Sequence, residues 1–293
     1  MRSRAATGAA GPRPAAEPAV AEVHPGRRPA AVVRAFAPAG PGRHAVVAWA
    51  CRQARRTGAR LELLVEPAAG EPDEPRGGPV GVLARLVRPV LGPVLGESSL
   101  ADRLARASAG SGLLVVPQRL AGVDELVDTA YEPVAVVPDE PPHTHGPVVL
   151  ALAPRSTGDE AVDAAFAAAA RRRAPLLAVC VRASTPWTLD TAVAGDETLD
   201  DEAEAWGDRL AAWRLTHPDV PVEVRVAEGD PALALVDLSA QARLLVLGRS
   251  GRGRVLARVA ASPVGAVTLR ARCPVLVVPP PGPPRRSWWP RSS

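Results

Sequence analysis

Residues 244–279 read LLVLGRSGRGRVLARVAASPVGAVTLRARCPVLVVP. The run Leu244 to Leu247 is apolar at every position, the mark of a strand covered on both faces and not of an alternating, half-exposed one. It stops at Gly248, and Gly251 and Gly253 follow. Glycines let the chain turn sharply and bring backbone N–H groups up to an anion with no Cβ in the way. Ser262-Pro263 then opens a helix over 262–271, whose N-terminus adds its dipole and its unpaired N–H groups. Ser262 can cap that helix and offer a hydroxyl to a phosphate. Arg249, Arg252, Arg254 and Arg258 make the loop cationic, and it holds no acidic residue. A second apolar strand, 274–279, closes the unit.

Working upstream, the same grammar repeats. Strand 147–153 is nearly all apolar. Helix 158–173 begins with Thr157 and Glu160 at capping-box spacing, buries Val162, Phe166 and Ala169, and ends in Arg171 to Arg173 before Pro175. Strand 176–182 comes next. Helix 200–216 carries Trp206, Leu210 and Trp213 on one stripe. Strand 221–227 leads to Gly229-Asp230-Pro231, where Asp230 suits an N-cap and Pro231 the first helical turn. Helix 231–241 and strand 243–247 complete the path to Gly248. Strands alternating with helices predict a parallel, doubly wound α/β sheet.

The unit occurs twice. Residues 30–67 resemble 146–183, LLVV at 113–116 matches LLVL at 244–247, and PVAVVP at 133–138 matches PVLVVP at 274–279. The length of 293 residues, at about 150 per domain, agrees with a duplicated domain. The expected plan is a tail over 1–28, a first domain over 29–138, a linker over 139–146, a second domain over 147–279 and a tail over 280–293. Both tails are rich in Pro, Gly and Arg without period and read as disordered; Trp288 and Trp289 lie in the second.

Composition excludes several chemistries. No lysine occurs, so a GxxxxGK[ST] phosphate loop and Schiff-base catalysis are ruled out. Cys51, Cys180 and Cys273 offer neither a CxxC nor a disulfide framework, which fits a reducing cytoplasm. No apolar run reaches the ~20 residues of a membrane helix. A net charge of +4 is too slight to imply specific nucleic-acid binding. Ser250 sits one residue out of place for a GxSxG elbow. His143 and His145 form the single histidine pair, in the Pro-rich linker, with no acid or thiol to complete a metal set.

The loop resembles the nucleotide motif of the universal stress protein family: Gly, two residues, Gly, nine residues, then Gly followed by Ser or Thr. Here Gly248, Gly251 and Ser262 keep the spacing, with Ala261 in place of the third glycine. Cys273 to Pro279 and the turn at 229–231 match the family as well, strongly over 146–279 and weakly over 30–138. The resemblance implies two tandem domains of the adenine nucleotide alpha hydrolase-like type, each with strand order 3-2-1-4-5, arranged as a pseudo-dimer through closing strands 134–137 and 275–278. It implies a stress-response regulator, not an enzyme, that binds ATP or a related adenine nucleotide in its second domain. Gly248, Gly251, Arg252, Gly253, Ala261, Ser262 and Pro263 would meet the phosphates. Leu247, Val179 and Ala153 would border the base and ribose. The family's adenine-contacting Asp falls at Ala153, which lacks a carboxylate. No catalytic base or Mg²⁺-carboxylate pair is evident, so turnover is expected to be slow or absent. The first domain has only Gly122 in the matching loop, with Asp124, Glu125 and Asp128 to repel a triphosphate. The alternatives are a nucleotide-free interaction scaffold of the same fold, with an unidentified protein partner and further homodimerisation left open, and an arginine-rich surface for anionic polymers over 249–258.

Overall fold

An all-apolar strand needs a hydrogen-bonded neighbour along each edge and a helical layer over each face. The computed structural model meets both needs with a single sheet. It describes residues 31–38, 40, 42–65, 85–86, 99–140, 145–153, 157–182, 197–249 and 263–280. The first expected tail, the second beyond Pro280, His143 and the middle of the linker lie outside those residues. In the first half the elements are β1 (Val32–Ala37), α1 (Arg43–Thr57), β2 (Arg60–Val65), β3 (Arg85–Leu86), α2 (Leu100–Ala107), β4 (Leu113–Pro117), α3 (Val123–Thr129) and β5 (Val134–Val137). In the second half they are β6 (Val148–Leu152), α4 (Asp159–Arg172), β7 (Leu176–Arg182), α5 (Glu197–Arg209), α6 (Ala211–Thr216), β8 (Val222–Glu228), α7 (Pro231–Ser239), β9 (Leu244–Gly248), α8 (Pro263–Arg270) and β10 (Val275–Val278).

The ten strands run in the order β3-β2-β1-β4-β5-β10-β9-β6-β7-β8. Every neighbouring pair is parallel except β5 and β10, which meet antiparallel with Ala135 opposite Leu276 at the centre. Helices α1, α4, α5 and α6 cover one face, burying Trp49, Phe166, Trp206 and Leu210. Helices α2, α3, α7 and α8 cover the other, burying Leu104, Leu126, Leu235 and Val267. The outer strand β8 alternates, with Val222, Val224 and Val226 turned to the core and Glu223 and Arg225 to solvent. A charged outer edge of this kind resists pairing with another chain.

Two local expectations are corrected. The stretch 200–216 is two helices, not one: the chain breaks at Leu210, which is fully buried, while Trp206 beside it is buried and Trp213 half-buried. Sinking Leu210 into the core took precedence over continuing the helix. Thr157 is not the N-cap of α4. Gly158 holds that position with no side-chain cap, and Thr157 is buried. By contrast, Asp230 caps α7 through its side chain, which accepts from the N–H groups of Ala232 and Leu233, with Pro231 in the first turn.

Two sets of polar contacts set the halves apart and hold them together. On β1 and β2 the register neighbours Arg34 and Glu62 form an ion pair at 2.8 Å, and Arg60 joins Glu62 at 2.8 Å. At the matching register of β6 and β7 stand Leu150 and Ala178, both buried. Arg34 also donates to the carbonyls of Ala107 and Ala109, so it ties the end of α2 to the sheet. Across the seam, Gln118, which follows β4, donates to the carbonyls of Thr268 and Ala271 at the end of α8, both at 2.8 Å. Arg249, which follows β9, donates to the carbonyls of Asp128 and Ala130 at the end of α3. Each half thereby satisfies helix-terminal carbonyls of the other, groups that have no partner within their own helix.

Two outcomes follow from these contacts. Removing the Glu62 charge leaves Arg34 without its counter-ion, so Glu62→Gln lowers unfolding free energy by about 1–3 kcal/mol at neutral pH, measured by urea denaturation. The Arg34 hydrogen bond holds the Glu62 pKa below the usual glutamate value against the opposing effect of burial. A depressed folded-state pKa gives stability that is present above the unfolded pKa and lost as pH falls through the folded one. The wild-type advantage over Glu62→Gln therefore shrinks below about pH 4.5, and a pH-independent difference contradicts the assignment. The double variant Gln118→Ala/Arg249→Ala loses the paired caps across the seam and about 2–4 kcal/mol, visible as a lower urea midpoint. An unchanged midpoint would show the caps to be dispensable.

Candidate functional site

In an open α/β sheet a ligand crevice forms where two adjacent strands send their connections to opposite sides. In the second half that point lies between β6 and β9, with Ala151 level with Leu247. Chain leaves β6 toward β7 on one side and leaves β9 toward β10 on the other. Leu247 is buried, Gly248 ends β9, and Val179 on β7 is buried on the same face as Leu247. Ala153 is half-buried directly after β6. Leu247 and Gly248 thus end β9, Ala153 follows the end of β6, and Val179 lies midway along the adjacent β7, level with Ala151. Pro263 opens α8, and Gly251, Arg252, Gly253, Ala261 and Ser262 lie outside the described residues.

The turn after β6 is closed by its own hydrogen bonds. The Ala153 N–H donates to Thr157 Oγ1 at 2.8 Å, and that hydroxyl donates to the Ala151 carbonyl at 3.1 Å. The Arg209 guanidinium donates to the Thr157 carbonyl at 2.8 Å and lies 4.9 Å over the Trp206 ring. The Thr157 hydroxyl, expected to cap α4, is thus spent on the strand end, and α5 reaches over to brace it. The Ala153 main chain already has its partner there, and its side chain brings no polar group.

Arg249 stands differently from the expectation that it adds positive charge to the loop. Its N–H continues the sheet to the Val278 carbonyl at 2.9 Å, and its side chain turns into the seam with α3. Sequence reasoning missed this role for both Arg249 and Gln118. The aligned runs 113–116 and 244–247 place the two side by side in the repeat, and that correspondence was the available signal.

A cavity of about 490 Å³ opens next to this crevice, between β7, β8, α5 and α7. Val179 lines it together with Val181, Ala234 and Leu238, and Asp200 and Arg225 supply charge. In the first half, Asp139 pairs with Arg119 at 2.7 Å and lies against Gly42, the N-cap of α1. Gly42 has φ of 87°, and a Cβ there would run into the Asp139 carboxylate, so this position requires glycine.

Cys180 and Cys273 are not reactive centres. Burial, with a hydrogen bond to Glu202, pushes the Cys180 thiol up to about 11, and burial pushes Cys273 up to about 12. Both stay protonated at neutral pH, which disfavours nucleophilic or metal-binding roles. Among the described residues no cluster of three His, Cys, Asp or Glu residues suits a metal ion, and no helix is long and apolar enough to cross a membrane.

The model of the universal stress protein family matches residues 145–279. A universal stress protein of Mycobacterium tuberculosis H37Rv is 34% identical over 190 residues, which is 61% of this chain and 62% of that protein. The chain thus spans about three fifths of that relative's length. Another, from M. tuberculosis CDC 1551, is 30% identical over 209 residues, covering 69% of this chain and 70% of its own. Among solved structures, a universal stress protein from Archaeoglobus fulgidus superposes with a TM-score of 0.59 at 14% identity, over 84% of this chain and 96% of that one. That last likeness speaks for the α/β parallel-sheet fold alone. From the family model over the second half and the mycobacterial relatives together, the chain belongs to the universal stress protein family.

Proposed function

We propose that this member of a stress-response family binds an adenine nucleotide, ATP or a close relative, in its second half only, at the C-terminal ends of β6 and β9. The observation that carries the reading is the reversal of strand order between β6 and β9, with buried Leu247 and Val179 beside it and Gly248 at the end of β9. Apolar side chains suit the faces of an adenine ring. Gly251, Arg252, Gly253, Ala261 and Ser262, followed by Pro263 at the head of α8, would meet the phosphates through main-chain N–H groups, the Ser262 hydroxyl and the Arg252 charge. The fit is poorer at the polar edge of the base. Ala153 carries no carboxylate, and its N–H is held by Thr157. Bound nucleotide adds negative charge at the loop and thereby changes which partner the protein prefers, with turnover expected to be slow or absent.

The first half then serves as structural partner, and the two halves act as a pseudo-dimer in one chain. The antiparallel β5·β10 pairing and the reciprocal caps from Gln118 and Arg249 support this reading. Asp124, Glu125 and Asp139 argue against an anion in the first half. One observation favours a second reading, a nucleotide-free scaffold for an unidentified protein: Arg249, one of the loop's cations, is spent on the seam.

Equilibrium titration with ATP, ADP and AMP at physiological salt tests the first reading. Weak binding is expected, in the order ATP, ADP, AMP. Restoring a polar base contact is worth about 1–3 kcal/mol, so Ala153→Asp tightens ATP binding about ten- to hundredfold. No binding of any of the three at millimolar ligand, by wild type and Ala153→Asp alike, leaves the scaffold reading.

A further inference from the structure

Away from the crevice, five arginines converge where α1 and α4 end. Arg52 and Arg56 come from the last turns of α1, Arg171 and Arg172 from the last turn of α4, and Arg243 from the residue before β9. They therefore belong to both halves, and they lie at the opposite end of β9 from Gly248. Among the described residues their side-chain hydrogen bonds reach neutral acceptors. Arg172 donates to the side-chain oxygen of Gln53 on α1 at 2.9 Å and to the Ala168 carbonyl at 3.3 Å. Arg243 donates to the carbonyls of Gly146 at 2.7 Å and Arg172 at 3.0 Å. Among the described residues no carboxylate forms an ion pair with any of the five.

The negative ends of two helix dipoles offset part of this charge, which is the usual reason for arginine in a last turn. Carbonyls and half-charges cannot balance five full ones. The surplus is legible in the groups themselves. Burial first, then Arg56, Arg243 and Arg171, bring the Arg172 pKa down to about 10. Burial, then Arg52 and Arg243, lower that of Arg56. Both remain charged at neutral pH, so an anion bound between them would relieve the repulsion from their neighbours.

We propose that Arg52, Arg56, Arg171, Arg172 and Arg243 form a binding site for a compact polyphosphate anion, bound through guanidinium groups from three separate elements. Guanidinium presents a planar fork of donors that matches phosphate oxygens. Guanidinium groups from three neighbouring elements, with Arg172 and Arg243 half-buried, suit a small multivalent anion better than the long stripe of charge a nucleic acid requires. The site is independent of the nucleotide crevice and takes the phosphate chain whether or not a nucleoside is attached.

The full chain is titrated with inorganic tripolyphosphate and with ATP by calorimetry, and its thermal midpoint is followed with and without tripolyphosphate. Arg56→Gln breaks no hydrogen bond among the described residues; Arg56→Gln/Arg172→Gln removes two charges. The expected result is a midpoint that rises with tripolyphosphate and an affinity that falls at least about tenfold in Arg56→Gln and further in the double variant. In the absence of anion Arg56→Gln melts higher than wild type, because repulsion is relieved; a purely structural arginine would give the reverse. The change in tripolyphosphate affinity is expected whether or not ATP binds the crevice, and an ATP arm insensitive to Arg56→Gln assigns that nucleotide to the crevice alone while leaving the tripolyphosphate site in place. Tripolyphosphate affinity within twofold of wild type in Arg56→Gln, a lower anion-free midpoint in that variant, or tighter binding of duplex DNA than of tripolyphosphate at physiological salt overturns the proposal.

Discussion

The antiparallel pairing of β5 with β10 is the constraint on which the rest of the structure depends. Both strands are short, Val-rich and largely buried, and each would otherwise end its half of the sheet as an apolar edge, the kind of edge that recruits other chains. Pairing them removes both edges at once and leaves β3 and β8 as the outermost strands. It also carries the helices that flank β5 and β10 into contact. At Gly265 on α8 a Cβ would lie 3.3 Å from Asp124 Cβ on α3, so glycine is what lets these two helices approach so closely. Once α3 and α8 are side by side, their C-terminal carbonyls come within reach of Gln118 and Arg249. The strand pairing sets the geometry, and the caps complete it.

That arrangement links the seam to the crevice. Arg249 follows the strand residue Gly248 directly, so the main chain that enters the glycine loop is fixed to the Val278 carbonyl while its side chain grips α3 of the other half. A change in the path of the loop would be felt first at Arg249. The Thr157 hydroxyl does comparable work across the crevice, closing the turn after β6 under the brace of Arg209. Both rims therefore begin from anchored points, and in each case the anchor is a polar side chain bonded to main-chain carbonyls.

What the sequence revealed and what it concealed divide along the range of the interaction. The apolar runs at 148–152, 176–182 and 244–248 are strands because their pattern is local, and the Asp230 cap could be read because cap and capped N–H groups are two and three residues apart. Thr157 had the same local credentials as a cap and is none, because two main-chain groups of the preceding strand compete for its hydroxyl. The break at Leu210 was hidden because 200–216 keeps its helical stripe through the break; only the depth of the core beneath Leu210 shows why the chain turns there. Arg249 was read by its charge and neighbours, whereas its carbonyl partners lie more than a hundred residues away. Of the crevice, Leu247, Gly248, Ala153 and Val179 can be located on their strands, while most of the phosphate loop falls outside the described residues.

The two halves show how the same frame tolerates different chemistry. Arg34 and Glu62 occupy the register that Leu150 and Ala178 fill in the second half, and neutral Gln118 does for α8 what charged Arg249 does for α3. Such exchanges are possible because the frame asks only that volume be filled and carbonyls be satisfied. They bear on how cations should be counted in a chain without lysine. Arginine here supplies every fixed side-chain positive charge, yet Arg34, Arg209, Arg243 and Arg249 all spend donors on main-chain carbonyls. The number of arginines in a segment therefore overstates its appetite for phosphate. The better measure is charge left unmatched after the carbonyls and carboxylates are assigned. By that measure Arg249 adds less charge to the loop than its position suggests, while the junction of α1 with α4 gathers five guanidinium charges that no carboxylate among the described residues offsets.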